Sequence, residues 1–203
     1  MADHPTLPPQ APKRAADRIR ESARELFYAQ GIRAVGVDQI VTKAGVTKPS
    51  LYRAFPSKDA LAADYLRTYD EGFWQRFEEA AAEAPGDPRG QIRAFFARHR
   101  SRVNNNLYRG CALTNAAVEY PDADHPARKV AEEAKTALRT RLRQMAMEMG
   151  ARDPEALGDG LMLIMEGAFV TSQLFGKGGP AVVAAEMADR LIEASLKPAE
   201  TAD

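Results

Sequence analysis

Large apolar residues recur along most of this chain at intervals of three and four, the period of an α-helix buried on one side. Leu61, Tyr65, Tyr69, Phe73 and Phe77 make an i, i+4 stripe that predicts a long helix over about 58–83, with Ser57 as its N-cap. Ile19, Ala23, Leu26 and Phe27 predict an earlier helix over 13–30, closed by Gly31. Val37–Ala44 and a segment from Thr47 to Ala54 read as two short helices around Gly45. After the loop APGDPRG (84–90), Ile92, Phe95, Phe96, His99 and Val103 predict a helix over 91–105. A short segment, 111–120, precedes the loop PDADHP and a long helix carrying Val130, Ala134, Leu138, Leu142, Met145 and Met149. Residues 155–175 are apolar almost all round, so that helix must bury more than one face. GKGGP (176–180) separates it from a last helix over 181–196. Alternating β-branched runs are missing, and the whole reads as an all-α chain of about nine helices without a repeat.

Composition adds bounds to that picture. With 203 residues the chain is long enough for one or two domains with a real core, and its 45% hydrophobic and 28% charged content is ordinary for a globular protein. No run approaches the length of a membrane span, so no membrane partner is expected. The opening MADHPTLPPQAPKRA has four prolines and no apolar signal-peptide core, which predicts a disordered tail over 1–12. Cys111 stands alone, which excludes an internal disulfide and fits a reducing, cytoplasmic setting. The net charge is zero but unevenly placed. Residues 1–60 hold ten Lys/Arg against six Asp/Glu, a surplus of four positive charges, and the remainder carries the balancing deficit. That asymmetry is expected where one end meets a polyanion, although a solvated face with uneven charge would look the same.

The stretch GVTKPSLYRAFPSKDAL (45–61) gives the asymmetry a chemical purpose. Two helices too short to stand alone, joined at a glycine, make a helix-turn-helix, with the helix at 13–30 as the support they pack on. Val37, Ile40, Val41, Val46, Leu51 and Phe55 are the inward positions. Thr47 is placed as N-cap, and Pro49 falls in the first turn, where a missing N–H costs nothing. Lys48 can reach a base edge or a phosphate, Ser50 is small and polar, Tyr52 offers a hydroxyl and Arg53 a charge. Lys58 reads as a second phosphate clamp, and Lys13, Arg14 and Arg18 as a basic arm along the backbone or in a minor groove. The alternative is a small bundle with solvated charges.

The stretch VDQIVTKAGVTKPSLYRAFPSKDAL closely resembles the signature of TetR-family (tetracycline-repressor-like) transcriptional regulators over about residues 15–62. Ala44-Gly45-Val46, Leu51-Tyr52, Phe55 and Ser57-Lys58 carry the resemblance. It implies a three-helix DNA-binding domain (13–57), a helical ligand-binding and dimerisation domain (58–203), and a homodimeric repressor on a palindromic double-stranded operator. Thr47, Lys48, Tyr52 and Lys58 match positions that touch DNA in such proteins. Gly36 departs from the pattern, since a Ser or Thr commonly caps the second helix there.

In the second domain, Gly160, Gly167 and Thr171 form a small-residue strip that lets another helix approach closely. With Ile164, and with Val183, Met187 and Leu191 from the last helix, they are the candidate dimer interface, a four-helix arrangement about a two-fold axis. Tyr65, Tyr69, Phe73, Phe95, Phe96, His99, Leu113, Asn115, Met145, Met165 and Phe169 are candidate walls of a site for a small, largely apolar effector, and would serve equally as ordinary core. Cys111 follows Gly110 at a helix start, where the dipole favours thiolate, so it is a candidate redox or electrophile sensor; the alternative is a buried, inert thiol. Enzyme chemistry finds no foothold. The three histidines are scattered, D-A-D-H-P lacks the length and glycine of a calcium loop, and GKGGP lacks Walker spacing, so neither catalytic residues nor a metal or cofactor is expected.

Overall fold

A computed structural model describes residues 14–103 and 108–196. Within them lie nine α-helices: α1 (Ala15–Gln30), α2 (Val37–Ala44), α3 (Lys48–Ala54), α4 (Lys58–Ala81), α5 (Pro88–Val103), α6 (Ala112–Glu119), α7 (Pro126–Glu148), α8 (Pro154–Phe175) and α9 (Ala184–Leu196). The expected tail at 1–12, Lys13 and the last two residues of the helix expected over 91–105 fall outside the described residues.

Two element boundaries differ from expectation for local reasons. Helix α5 begins at Pro88, inside the stretch read as a loop, because a proline at the first helical position loses only an amide that has no intrahelical partner. The last helix is split. Pro180–Val183 forms a 3₁₀ turn, with Val182 N–H donating to Gly179 O at 3.1 Å, before α9 proper begins at Ala184.

The first three helices close around Ile19, Ala23, Phe27, Ile40, Val41, Leu51 and Phe55, all buried. Ile32 and Val35, in the connection between α1 and α2, complete that core at 3% and 0% exposure. The turn between α2 and α3 rests on Gly45, whose φ of 61° and ψ of 43° put it in the left-handed region. Val46 N–H then reaches back to Val41 O at 3.0 Å, closing the helix end in the Schellman manner. At the start of α2, Gly36 is extended (φ −83°) and caps nothing with a side chain; instead Gln39 Oε1 accepts from Gly36 N–H at 2.8 Å, half of a capping box.

Helix α4 starts where the three-helix unit ends. Ser57 Oγ accepts from Ala60 N–H at 3.0 Å, capping it as expected. Leu61 and Tyr65 enter the first core and Phe73 and Phe77 the second, so a single hydrophobic cluster runs from Ile19 to Ile192. Beyond it α4 packs on α5, α6 and α7, α7 lies along α8, and α8 and α5 both contact α9. The α7–α8 contact is close because Gly158 has no side chain: a Cβ there would lie 2.7 Å from Arg143 backbone atoms. Arg139 and Arg143 both grip Asp159 at the same place, holding its carboxyl well below the usual carboxylate range.

Gly158→Ala should therefore lower the unfolding free energy by about 1–3 kcal/mol, since a rigid backbone faces the new methyl. Gly45→Ala should cost about 1–2 kcal/mol through φ alone, because open space surrounds that position. Urea titrations at constant m-value check both, and loss of either effect would contradict the packing described.

Candidate nucleic-acid interface and ligand cavity

The exposed end of α2 and α3 carries the polar residues singled out in the sequence. Thr47 Oγ1 accepts from Ser50 N–H at 3.4 Å and lies 3.0 Å from Ser50 Oγ, so it is the N-cap that places Lys48 and Pro49 in the first turn. Leu51 is fully buried and Phe55 nearly so, which points the opposite face of α3 to solvent. Tyr52 stands 49% exposed on that face, beside exposed Lys48 and Arg53. Arg14 and Arg18 are exposed at the start of α1.

Two of these cations are engaged. Lys48 Nζ lies 2.8 Å from Asp38 Oδ1 of α2, and the hydrogen bond to that carboxylate raises its pKa. Lys58 is half-buried and donates to Arg33 O at 3.4 Å; burial lowers its pKa. Asp38 was not anticipated as a member of this surface. It sits ten residues before Lys48, and only the folding of α2 against α3 brings the pair together.

In the second half of the chain, one cavity of about 300 Å³ opens between α4, α5 and α8. Of the residues expected to hold an effector, Tyr69, Phe73, Phe95, His99 and Phe169 line it. The rings of Phe73, Phe95, Phe169 and His99 meet edge to face, with centroids 6.0 Å apart for Phe73 and Phe95, and 5.1 Å for His99 and Phe169. His99 Nε2 lies 3.4 Å from Ser172 Oγ, and burial, helped by the charge of Arg102, lowers the imidazole pKa to about 4, so it is neutral near pH 7. Phe96, Leu113, Met145 and Met165 are buried core residues that line no part of it. Tyr65 and Asn115 open instead onto a second cavity of about 260 Å³ beside α1 and α6. Packing decides these differences: Phe96, Met145 and Met165 sit on helix faces that meet other helices.

The sequence reading missed the polar members of the first cavity: Arg76, Glu79, Arg98, Ser101, Arg102 and Tyr108. A signal was there. Arg76 continues Tyr69 and Phe73 at i+7 and i+3, and Arg102 continues Phe95 and His99 in the same way, so each arginine extends an apolar helix face.

A junction of hydroxyls ties the cavity wall to α1. Gly110 O accepts from Tyr28 Oη of α1 at 3.2 Å and from Tyr69 Oη of α4 at 3.3 Å, while Arg109 N–H donates to Tyr28 Oη at 3.0 Å. The segment then enters α6, whose far end grips the connection between α1 and α2. There Arg33 N–H donates to Glu119 Oε2 at 2.8 Å, and Arg33 Nη1 to Glu119 O at 3.2 Å. Cys111, next to Gly110, is 3% exposed, and Lys135 Nζ lies 3.3 Å from its Sγ. Lys135 is bound in turn to Glu166, which also accepts from Thr114 Oγ1.

The strip of small residues on α8 divides in two. Gly160 faces its own chain, where a Cβ would meet Leu191 Cδ2 of α9 at 2.7 Å, so this pair serves packing between α8 and α9 rather than an outward contact. Gly167 is exposed with open space around it, Ile164 and Thr171 are half-buried, and Val183 and Met187 are exposed. Leu163, Val170 and Leu174, not anticipated, extend this outward face at 74%, 43% and 72% exposure. Among the described residues, no helix is long and apolar enough to cross a membrane, and no cluster of three or more His, Cys, Asp or Glu residues forms a metal site.

Comparison with known proteins agrees with this geometry. Residues 19–65 match the family described as bacterial regulatory proteins, tetR family, and residues 88–188 match the tetracyclin repressor-like C-terminal domain, together more than half the chain. The HTH-type transcriptional regulator YxaF of Bacillus subtilis (strain 168) is 27% identical over 180 residues, 87% of this chain and 94% of that protein. The transcriptional regulator AcuR of Cereibacter sphaeroides is 28% identical over 194 residues, 86% and 88% respectively. The structure of SCO4454, a TetR-family regulator from Streptomyces coelicolor, superposes with a TM-score of 0.81 at 29% identity, over 90% of this chain and 96% of that one. These relatives are transcriptional regulators and not enzymes. The chain belongs to the TetR family and is a DNA-binding transcriptional regulator.

Proposed function

We propose that the protein acts as a cytoplasmic homodimeric repressor that leaves a palindromic operator when a small molecule enters the cavity between α4, α5 and α8. The observation that carries the ligand response is the Gly110 carbonyl, which binds the cavity-wall Tyr69 and the α1 residue Tyr28 at once. A ligand that displaces Tyr69 or the 108–110 segment disturbs this junction, and through α6 and Glu119 the connection between α1 and α2. The start of α4 adds a second route, because Lys58 holds Arg33 O. Release of DNA follows if the ligand binds the displaced arrangement better than the DNA-competent one.

The exposed apolar face of α8, with Leu163, Gly167, Val170 and Leu174 at helical spacing, supports pairing with a second copy about a two-fold axis, with Val183 and Met187 at its edge. Two copies of α3 then read major-groove half-sites about 34–36 Å apart or a multiple of that. On each, Thr47, Lys48, Pro49, Ser50, Tyr52 and Arg53 face the DNA, Arg14, Arg18 and Lys58 hold phosphates, and Lys13 extends the arm.

A thiol response at Cys111 is the second reading, favoured by the ammonium of Lys135 beside its sulfur. It predicts that diamide abolishes operator binding by the native protein and not by Cys111→Ser. Equal sensitivity of the two proteins would remove it.

Selection of bound sequences from random duplex DNA should recover a palindrome; recovery of asymmetric sites only would sink the two-fold arrangement. Leu163→Asp combined with Leu174→Asp should give a monomer by light scattering and weaken operator binding at least a hundredfold. A dimer that persists would place the interface elsewhere. Asp38→Asn should release Lys48 and remove a negative charge, raising affinity several-fold, whereas Lys48→Ala should lower it and reduce the salt slope by about one phosphate contact. Opposite signs for the two variants are required, and the same sign would contradict a DNA-facing Lys48.

A further inference from the structure

Charge is unevenly distributed around the cavity. Its walls hold three arginines, Arg76, Arg98 and Arg102, against one carboxylate, Glu79. Arg98 and Glu79 answer each other at the rim, 3.1 Å apart, and Arg98 takes Glu83 as well. Arg76 and Arg102 have no such carboxylate among the described residues. Every other half-buried arginine in the second half, among the described residues, has a carboxylate: Arg89 has Asp189, Arg128 has Glu132, Arg141 has Glu148, and Arg143 has Asp159 and Glu155.

Arg76 is the more telling of the two. It rises from α4 and folds back along the helix, so that a Cβ at Gly72 would lie 3.2 Å from its Nη1. Its Nε is sealed from solvent and has no hydrogen-bond partner. A guanidinium N–H in that state loses its hydration without a replacement, and this is an arrangement that proteins rarely leave unanswered. Burial lowers the Arg76 pKa, and the like charge of Arg102 lowers it further, so the two cations share one region. The field of Arg102 also reaches His99 and Tyr108, whose rings meet edge to face with centroids 5.7 Å apart.

We propose that the effector is an organic carboxylate, its carboxylate held by Arg76 and Arg102 and its apolar body lying among Tyr69, Phe73, Phe95 and Phe169. This deepens the ligand-responsive reading and rests on it. The guanidinium edge offers parallel N–H donors that match the two oxygens of a carboxylate. One negative charge also relieves the repulsion between the arginines. A phosphate monoester fits less well, since its further charge and third oxygen would be desolvated against aromatic rings. A cavity of about 300 Å³ suits an aryl or medium-chain acid. A neutral hydrocarbon would fill the same space and leave the Arg76 Nε unanswered.

Calorimetric titration of the full-length protein with 1-naphthoate and octanoate, against 1-naphthamide and octanamide, tests this directly. Each acid should bind at least tenfold more tightly than its amide. Arg76→Gln should reduce acid binding to the amide level and leave amide binding unchanged, which also shows that the cavity is intact. Arg102→Gln, at the exposed mouth, should cost about threefold. Arg100→Gln, the same change of charge on α5 away from the cavity, should cost nothing. Acids and amides that bind alike, with Arg76→Gln indifferent, would overturn the carboxylate and leave the cavity as a neutral site. Failure of both series to bind would overturn the cavity reading together with the carboxylate.

Discussion

Helix α4 must satisfy two cores at once, and the rest of the molecule is arranged around that requirement. Its first turns complete the three-helix unit through Leu61 and Tyr65, and its later turns build the second half through Phe73 and Phe77. Three short helices cannot bury enough surface to stand without such a partner. The reading surface is therefore not an appendage: its stability is borrowed from the helix that also forms the cavity wall. No gap in the packing marks residue 57, where a division into two domains was expected.

Beside the apolar cluster that crosses between the halves, with Phe27 against Tyr65, a set of polar contacts joins them. Gly110 O gathers Tyr28 and Tyr69, Glu119 holds Arg33, Lys58 holds Arg33 O, and Arg20 of α1 meets Asp64 of α4 at 3.1 Å. Such contacts suit a switch better than a large apolar seam does. Each is directional and lost over a small displacement, whereas an apolar seam slides at low cost. The core fixes what stays together, and these bonds register how the parts are turned.

Much of this was legible in the sequence, and the misses share a cause. Helix positions followed from apolar spacing, and the turn from Gly45, because both depend on neighbours close along the chain. Thr47 as N-cap and Ser57 as N-cap are equally local. Asp38 beside Lys48, Gly160 against Leu191, and the separation of Tyr65 and Asn115 from the main cavity depend on how distant helices are rotated against one another, which local periodicity leaves open. The apolar list for the effector site mixed wall with core for the same reason: Met145 and Phe95 both sit on buried faces, and only one faces a void. Arg76 and Arg102 were readable as charges that continue apolar helix faces, though the spacing alone does not show that those faces meet at a void.

The account stands on coupling between the cavity and the reading surface, and coupling between two binding sites is reciprocal. The most direct measurement is the affinity of the tightest cavity ligand for the free dimer and for the dimer saturated with its operator duplex, under identical salt. The account predicts weaker binding to the DNA-bound form, by the same factor by which the ligand weakens DNA binding. Equal affinity for the two forms would contradict it, and would leave the cavity and the helix-turn-helix as independent features of one fold.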